Sequence, residues 1–236
     1  MSERFIRLEQ LIGNNEFEKL KNSHVAVFGL GGVGSYTVEA LSRCGIGRLT
    51  LVDSDVYSTS NINRQLYATT STIGKKKIDV AVSRVKDVNP DCQVVGIDTF
   101  ILPNSYNGID FSKFDYIVDA IDTISGKLEL IKKAKEFGVP IISSMGTGNK
   151  LDERAFKVAD ISKTKVCPLC RVMRKLLKEN GIENVKVVYS EEEPIMPKNV
   201  DAVEKKGNGV APSSISFVPA VAGLMLAGEV VRELIK

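Results

Sequence analysis

The stretch His24-Val-Ala-Val-Phe-Gly-Leu-Gly-Gly-Val-Gly-Ser35 joins an apolar run ending at Phe28 to the spacing Gly29-x-Gly31-x-x-Gly34. An apolar strand, a tight glycine turn and a helix opening with free backbone N–H groups form a cradle for phosphate. Glycine lets the backbone come close, and the helix N-terminus carries partial positive charge. Taken alone, the spacing also serves merely to reverse a chain. Here a second apolar run, residues 48–52, ends at Asp53, about twenty residues on, where an acidic side chain accepts hydrogen bonds from a ribose. The two signals together point to a bound nucleotide.

Outward from this turn, strand and helix signals alternate. The helix after the glycines places Val33, Thr37, Ala40, Leu41 and Cys44 on one apolar face, the spacing of a helix packed on a sheet. A helix over residues 75–88 turns Ile78, Ala81, Val82, Val85 and Val88 inward and is stopped by Asn89-Pro90. Strands are expected at 92–97, 116–120 and 140–144, with a helix over 123–137 closed by Gly138. The pattern predicts an α/β, Rossmann-like, doubly wound and mainly parallel sheet with helices on both faces and ligands at the carboxyl ends of its strands. Beyond Gly148 a strand near 155–161, a helix over 168–180, a strand near 185–189 and a helix over 219–235 make a C-terminal strand–helix extension.

Length and composition bound the answer. At 236 residues with 43% hydrophobic content, the chain reads as one domain with its own core. A nucleotide-binding core over 24–148 lies between an N-terminal helical arm at 3–22, without obvious anchoring, and a substrate-side extension at 149–236. Within the extension, residues 191–214 are polar, contain EEEP and EKKGNG and lack periodicity, so a mobile loop is expected. The last helix is apolar but too short and too charged at its end to span a bilayer; it belongs in the core or a subunit interface. A net charge of +3 from 32 basic and 29 acidic residues permits a nucleic-acid partner without requiring one. MSERFIRLEQ lacks the apolar centre of a secretory signal, so a cytoplasmic protein is expected, and its four cysteines are not expected to form structural disulfides.

A plain dinucleotide-binding domain has no use for the charges gathered at the same sheet edge. The polar stretch from Ser54 to Gly74 is long for a connection in a compact domain, and such loops tend to be functional. It carries Asn61-Ile62-Asn63-Arg64-Gln65, in which Arg64 reads as a solvated arginine or a phosphate ligand. Lys77 follows Gly74 as G-x-x-K beside Lys75 and Lys76. Three cations in the first turn of a helix oppose its dipole at a cost of a few tenths of a kcal/mol or more each, which a nearby anion would offset. Asp119 and Asp122 end an apolar strand in Val118-Asp119-Ala120-Ile121-Asp122. For Asp122 a helix N-cap is the simple reading, but beside a phosphate cradle and cations a carboxylate holding Mg²⁺ fits better.

As a set, GLGGVGS, Asp53-x-Asp55, N-x-N-R-Q, G-x-x-K, Asn89-Pro90 and D-A-I-D resemble the adenylating superfamily of ubiquitin-activating and sulfur-carrier-activating proteins, over about residues 4–150 in order plus the last helix. Within it, AIDT with the helix after it, DISKTKVCPLCRVMRKLLKENGI and the short C-terminal segment most resemble the tRNA threonylcarbamoyladenosine dehydratases. The resemblance implies an enzyme that uses ATP and Mg²⁺ to adenylate the carboxylate of the threonylcarbamoyl group on an adenosine next to the tRNA anticodon. The activated carboxyl then closes into a ring, with net loss of water. It further implies a homodimer, and it allows a sulfur- or electron-transfer partner protein.

Carried over by motif, Gly29, Gly31, Gly32 and Gly34 approach the phosphates, Asp53 holds the ribose with Asp55 beside it in the nucleotide site, and Asn61, Arg64 and Gln65 contact the nucleotide. Lys77 neutralises developing charge, Asp122 positions Mg²⁺, and Arg7 reaches from the partner subunit towards the γ-phosphate. The chemistry agrees independently, since adenylation is an in-line displacement at phosphorus that needs alignment and charge neutralisation rather than a dedicated base.

Two departures from the superfamily matter. Sulfur-carrier-activating relatives bind zinc through two C-x-x-C pairs, whereas this chain has one, Cys167 and Cys170, and its only histidine, His24, starts the first strand; no zinc is expected. Some dehydratase relatives carry a cysteine where this chain reads Val187-Val188-Tyr189, which excludes a thioester there. Cys167, at the N-cap before Pro168, reads as structural or as a substitute nucleophile with a lowered pKa. The 168–180 helix puts Arg171, Arg174, Lys175 and Lys178 on one face, either a solvated face or a track for a tRNA backbone. Three rival functions are adenylation of the C-terminus of a ubiquitin-like sulfur carrier, an NAD-dependent dehydrogenase, which leaves Arg64, Lys77 and Asp122 unused, and a nucleotide-sensing module, for which no feature speaks.

Overall fold

The computed structural model describes residues 3–103, 108–198 and 212–236, and the backbone of 205–206 and 209–210. The alternation expected of the core is present: β1 (His24–Phe28), α3 (Gly34–Arg43), β2 (Arg48–Val52), α4 (Lys77–Val88), β3 (Gln93–Ile97), β4 (Tyr116–Asp119), α5 (Ile124–Glu136) and β5 (Ile141–Ser144). Before it lie α1 (Ile6–Ile12) and α2 (Asn14–Asn22). After it come β6 (Phe156–Asp160), α6 (Pro168–Glu179), β7 (Lys186–Ser190), the two-residue pair β8 (Lys205–Lys206) and β9 (Gly209–Val210), and α7 (Phe217–Leu234). Element ends differ from the expected ones by one or two residues. α4, for example, begins at Lys77 rather than 75 because Lys76 is still extended.

The seven-stranded sheet runs in the order β3-β2-β1-β4-β5-β7-β6 and is parallel except for β6, which pairs antiparallel with β7. The chain leaves β1 towards β2 and β3 and then crosses back to β4, so strand order reverses between β1 and β4. In open α/β sheets that reversal leaves a crevice at the carboxyl ends of the strands, where ligands sit. Phe28 ends β1 in register with Asp119 at the end of β4, so the chain segments that follow both strands enter this crevice together.

Strands buried on both faces explain the unbroken apolar runs, and side-chain alternation sends successive residues to two cores. Val25, Val27, Leu49, Leu51 and Val118 pack with α3, α4 and α7. Ala26, Phe28, Ile117 and Ile141 pack with α5 and α6. β3 is an edge strand and half exposed. Cys44, expected in the core, is only half-buried. α7 lies tight on α3: a Cβ on Gly223 would come within 2.3 Å of the Val33 carbonyl oxygen, and the Thr37 hydroxyl donates to the Gly223 carbonyl at 3.0 Å. Among the described residues no helix is long and apolar enough to cross a membrane.

One expectation needs correction. The N-terminal arm is anchored on its own chain: Phe5, Phe17 and Leu20 are buried, and Gly47 lies so close under α2 that a Cβ there would meet the Lys21 carbonyl oxygen at 1.7 Å. Of the expected mobile loop at 191–214, residues 199–204, 207–208 and 211 lie outside the described residues; two of its described residues bond to Asn149. The Ile195 N–H donates to the Asn149 carbonyl and the Ser213 N–H to the Asn149 side chain, each at 2.8 Å.

Candidate active site

A cavity of about 630 Å³ opens at the carboxyl edge of the sheet, lined on one side by the glycine turn, the 53–65 loop and Lys77, and on the other by residues 144–148. The glycines do different jobs. Gly29 has φ +90°, and a Cβ there would meet the Ala120 carbonyl oxygen at 2.7 Å; on Gly34 it would come within 1.8 Å of the Gly29 carbonyl oxygen. Both are therefore demanded by the turn itself. At Gly31 the nearest atom to an added Cβ is Gln65 Nε2 at 3.7 Å. The fold leaves room for a side chain at Gly31, and that room faces the cavity where a phosphate would need the bare backbone.

The Asp53 carboxylate ties this turn to β2. One oxygen accepts from the Leu30 N–H at 2.6 Å and the other from the Asp55 N–H at 2.8 Å, leaving each oxygen a further lone pair for a ribose hydroxyl. Burial raises its pKa, against the pull of Lys77 and the two backbone donors. Lys77 is the first residue of α4. Its ammonium pairs with Asp55 at 2.7 Å, the lysine side chain 6% and the aspartate 63% exposed. Lys76 pairs with Asp98 at 2.7 Å, so aspartates already relieve the crowding of cations expected at this helix start. The ribose and phosphate ligands expected from sequence thus share one wall with a lysine whose aspartate partner is open to solvent.

Asn61 ends a single 3-10 turn at Thr59–Asn61 that Ser58 and Asn61 cap reciprocally, the Asn61 side-chain carbonyl accepting from the Ser58 N–H at 3.1 Å. This positions Arg64, whose guanidinium donates to the Ser60 carbonyl at 2.8 Å and the Asn63 side chain at 2.9 Å. Gln65 is buried against the turn with its carbonyl oxygen unpartnered, as is the Tyr57 hydroxyl beneath the loop. Asp122 lines the cavity, exposed, one residue ahead of the α5 N-cap, which is Thr123. The simple N-cap reading of Asp122 therefore does not hold.

Sequence reading passed over Lys127. It lies in the first turns of α5, also lines the cavity, and with Asp119 forms an ion pair in which the side chains are 1% and 0% exposed. A lysine four residues into a helix looks like surface; only its position against β4 and β5 buries it. The D-A-I-D strand end with Gly126-Lys127 close behind was the available signal.

The ThiF family pattern matches residues 3–236. The chain belongs to the ThiF family. It is 44% identical to the tRNA threonylcarbamoyladenosine dehydratase of Bacillus subtilis (strain 168), across all of this chain and 96% of that protein. The crystal structure of E. coli tRNA N6-threonylcarbamoyladenosine dehydratase, TcdA, in complex with AMP superimposes with a TM-score of 0.88 at 29% identity, covering 98% of this chain and 94% of that one. The same E. coli protein in complex with ATP gives 0.86, over 98% and 93%.

On the second wall of this ThiF cavity, Gly146 and Leu169 cover the C-x-x-C pair, whose two cysteines are not joined by a disulfide. Cys167 is the α6 N-cap, as expected, with Pro168 in the first turn. The Cys170 thiol and the backbone N–H groups of Cys170, Gly146 and Leu169 hold the Cys167 thiol well below its usual pKa, while Cys170 is pushed up. Both are buried, and neither lines the cavity. On α6, Arg171, Lys175 and Lys178 are exposed, with Lys175 3.9 Å from Glu179. Arg174 instead donates to the Thr164 carbonyl at 2.9 Å and to its hydroxyl, so it closes the loop before α6. Arg7 is exposed on α1 and does not line its own chain's cavity.

Proposed function

We propose that this chain adenylates the carboxylate of threonylcarbamoyladenosine in tRNA at the expense of ATP and lets the activated carboxyl cyclise. The observation that carries the reading is Lys77, a buried ammonium held in the wall of a cavity that also contains Gly31, Arg64 and Asp122. Those charges suit a triphosphate, and the similarity to the dehydratases named above supports the tRNA substrate. Phosphates would take the backbone N–H groups of the glycine turn, and the ribose would take Asp53. Lys77 and Arg64 would neutralise the charge that develops as the carboxylate oxygen bonds to the α-phosphorus and pyrophosphate leaves. Ring closure then breaks the acyl–phosphate bond and releases AMP.

Two exposed carboxylates line the cavity, Asp55, which is paired with Lys77, and Asp122, and among the described residues no group of three or more His, Cys, Asp or Glu side chains is arranged to hold a metal. One carboxylate completed by phosphate oxygens and water is how Mg²⁺ binds with nucleotides, so Asp122 would hold it. Bound there, Mg²⁺ would supply charge neutralisation on the triphosphate. ATP with Mg²⁺ is expected to raise the melting temperature, and NAD(H) to leave it unchanged; the opposite result in a thermal melt overturns the reading. Labelled ATP offered with either modified tRNA or a sulfur-carrier protein identifies the acceptor.

The same reading includes a homodimer in a cytoplasmic setting. α7 exposes Phe217 and Leu224, and α1 exposes Ile6 and Leu11, apolar surface of the kind a second copy covers. Arg7 would then act in the partner's cavity. Mixing inactive Arg7→Ala and Lys77→Ala subunits is expected to restore activity, because one site of each heterodimer carries both groups. No recovery after verified exchange removes Arg7 from the site.

For the tRNA track, Arg171, Lys175 and Lys178 would face phosphates, with Arg174 holding the loop. Each neutralised phosphate adds close to one unit to the salt slope of binding. Arg171→Ala with Lys178→Ala is expected to weaken tRNA binding and flatten its salt dependence with ATP affinity unchanged, as measured by filter binding at several salt concentrations. An unchanged slope moves the search to Lys198, Lys205 and Lys206; the side chains of the last two lie outside the described residues.

A further inference from the structure

We infer that Lys127 is a positioning residue that sets the Asp122 carboxylate through Asp119, an inference that rests on the reading of Asp122 as the magnesium-binding group. The Lys127 ammonium donates to both Asp119 oxygens at 3.1 Å and to the Ser144 carbonyl at 2.6 Å, with the Ser143 hydroxyl at 3.4 Å. This one cation joins the carboxyl ends of β4 and β5. Asp119 in turn accepts from the Ile121 N–H at 3.2 Å and from the Ser143 hydroxyl. The bond to Ile121 folds the backbone immediately before Asp122. Charge on Lys127 thus fixes Asp119, Asp119 fixes the 119–121 turn, and the turn aims Asp122 into the cavity.

Stability is a poor explanation for this pair. Two charges are removed from water, and well-packed apolar side chains of similar volume hold such a place as well or better. The same geometry has an evident use at the switch point of the sheet. A carboxylate next to the phosphates must stand in one orientation before the metal–nucleotide complex arrives, and a loop held by hydrogen bonds to a buried charge is preorganised in that sense.

The test is calorimetric titration of ATP with and without Mg²⁺, so that binding is read independently of turnover. Lys127→Met alone leaves the Asp119 charge buried and unpaired and is expected to unfold readily. The informative protein is Lys127→Met with Asp119→Leu, which replaces the pair by apolar groups and removes the acceptor for the Ile121 N–H. Metal-free ATP affinity is expected to stay within about twofold of the parent, and the Mg²⁺ concentration giving half of the metal-dependent gain to rise at least about tenfold. Asp122→Asn, run beside it, must produce the same shift. A folded double variant with the parent's Mg²⁺ midpoint, where Asp122→Asn does shift it, overturns the role of Lys127 alone. A midpoint unchanged in Asp122→Asn overturns the magnesium reading, and the positioning role falls with it.

Discussion

Lys77→Ala is expected to keep the fold and to lower adenylate formation by about 2–4 kcal/mol of transition-state stabilisation, roughly 30- to 1,000-fold in rate. The lysine stem is buried, but the charge it leaves behind, Asp55, is 63% exposed, so water takes over that carboxylate and the destabilisation that follows loss of one partner of a fully buried pair does not arise. What disappears is the cation in the cavity wall, which no neighbouring group on α4 replaces because Lys76 is held outside by Asp98. ATP–pyrophosphate exchange measures the loss, and circular dichroism with a thermal melt establishes the fold. Asp122→Ala should behave alike, since an exposed side chain ahead of the α5 cap contributes little to the core. Near-parental exchange in either variant removes that residue from the chemistry.

Gly31→Ala and Gly34→Ala are expected to part company completely. An alanine at position 34 puts its Cβ within 1.8 Å of the Gly29 carbonyl oxygen, and this backbone contact cannot be relieved by turning a side chain, so the strand–turn–helix connection must open. Soluble, cooperatively unfolding Gly34→Ala protein would refute the steric account. At position 31 the nearest atom is 3.7 Å away, so Gly31→Ala should fold with a melting temperature close to the parent's. Its methyl group occupies the room where phosphate would approach the backbone N–H groups, and ATP affinity should fall by about 100-fold or more, equivalent to about 2.7 kcal/mol. A Gly31→Ala protein that binds ATP normally would show that the phosphates lie elsewhere in the cavity.

The parallel sheet and the gathering of glycines and charges at its carboxyl edge were legible because both arise from local pattern. Apolar runs of strand length, helices with a 3.6-residue period and glycines at fixed spacing are consequences of backbone sterics and burial that each segment carries in itself. Gly29, Asp53 and Asp122 could be read as one edge because each sits at the carboxyl end of a strand or just after it, and in a parallel sheet those ends share one edge; Asn61, Arg64, Gln65 and Lys77 were added from the long loop after β2 and the helix it leads into. Their neighbours could not be read. Asp55 as the partner of Lys77 depends on how the 53–76 loop folds back, the anchoring of the arm by Phe5 and Phe17 depends on the foot of the sheet, and Arg174 turns from a track residue into a loop fastener only because Thr164 lies beneath it.

Sequence by itself therefore determined the strand–helix alternation, the glycine turn and the set of charges at one edge. Tertiary structure alone decided which of those charges are paired and buried. Lys127 and Asp119 are eight residues apart and unremarkable as text. They become a buried ion pair because β5 lies beside β4 and offers the Ser144 carbonyl and the Ser143 hydroxyl to the same ammonium. Hydrogen bonds that satisfy a buried charge come from several segments at once, and that convergence exists only after the chain has closed around it.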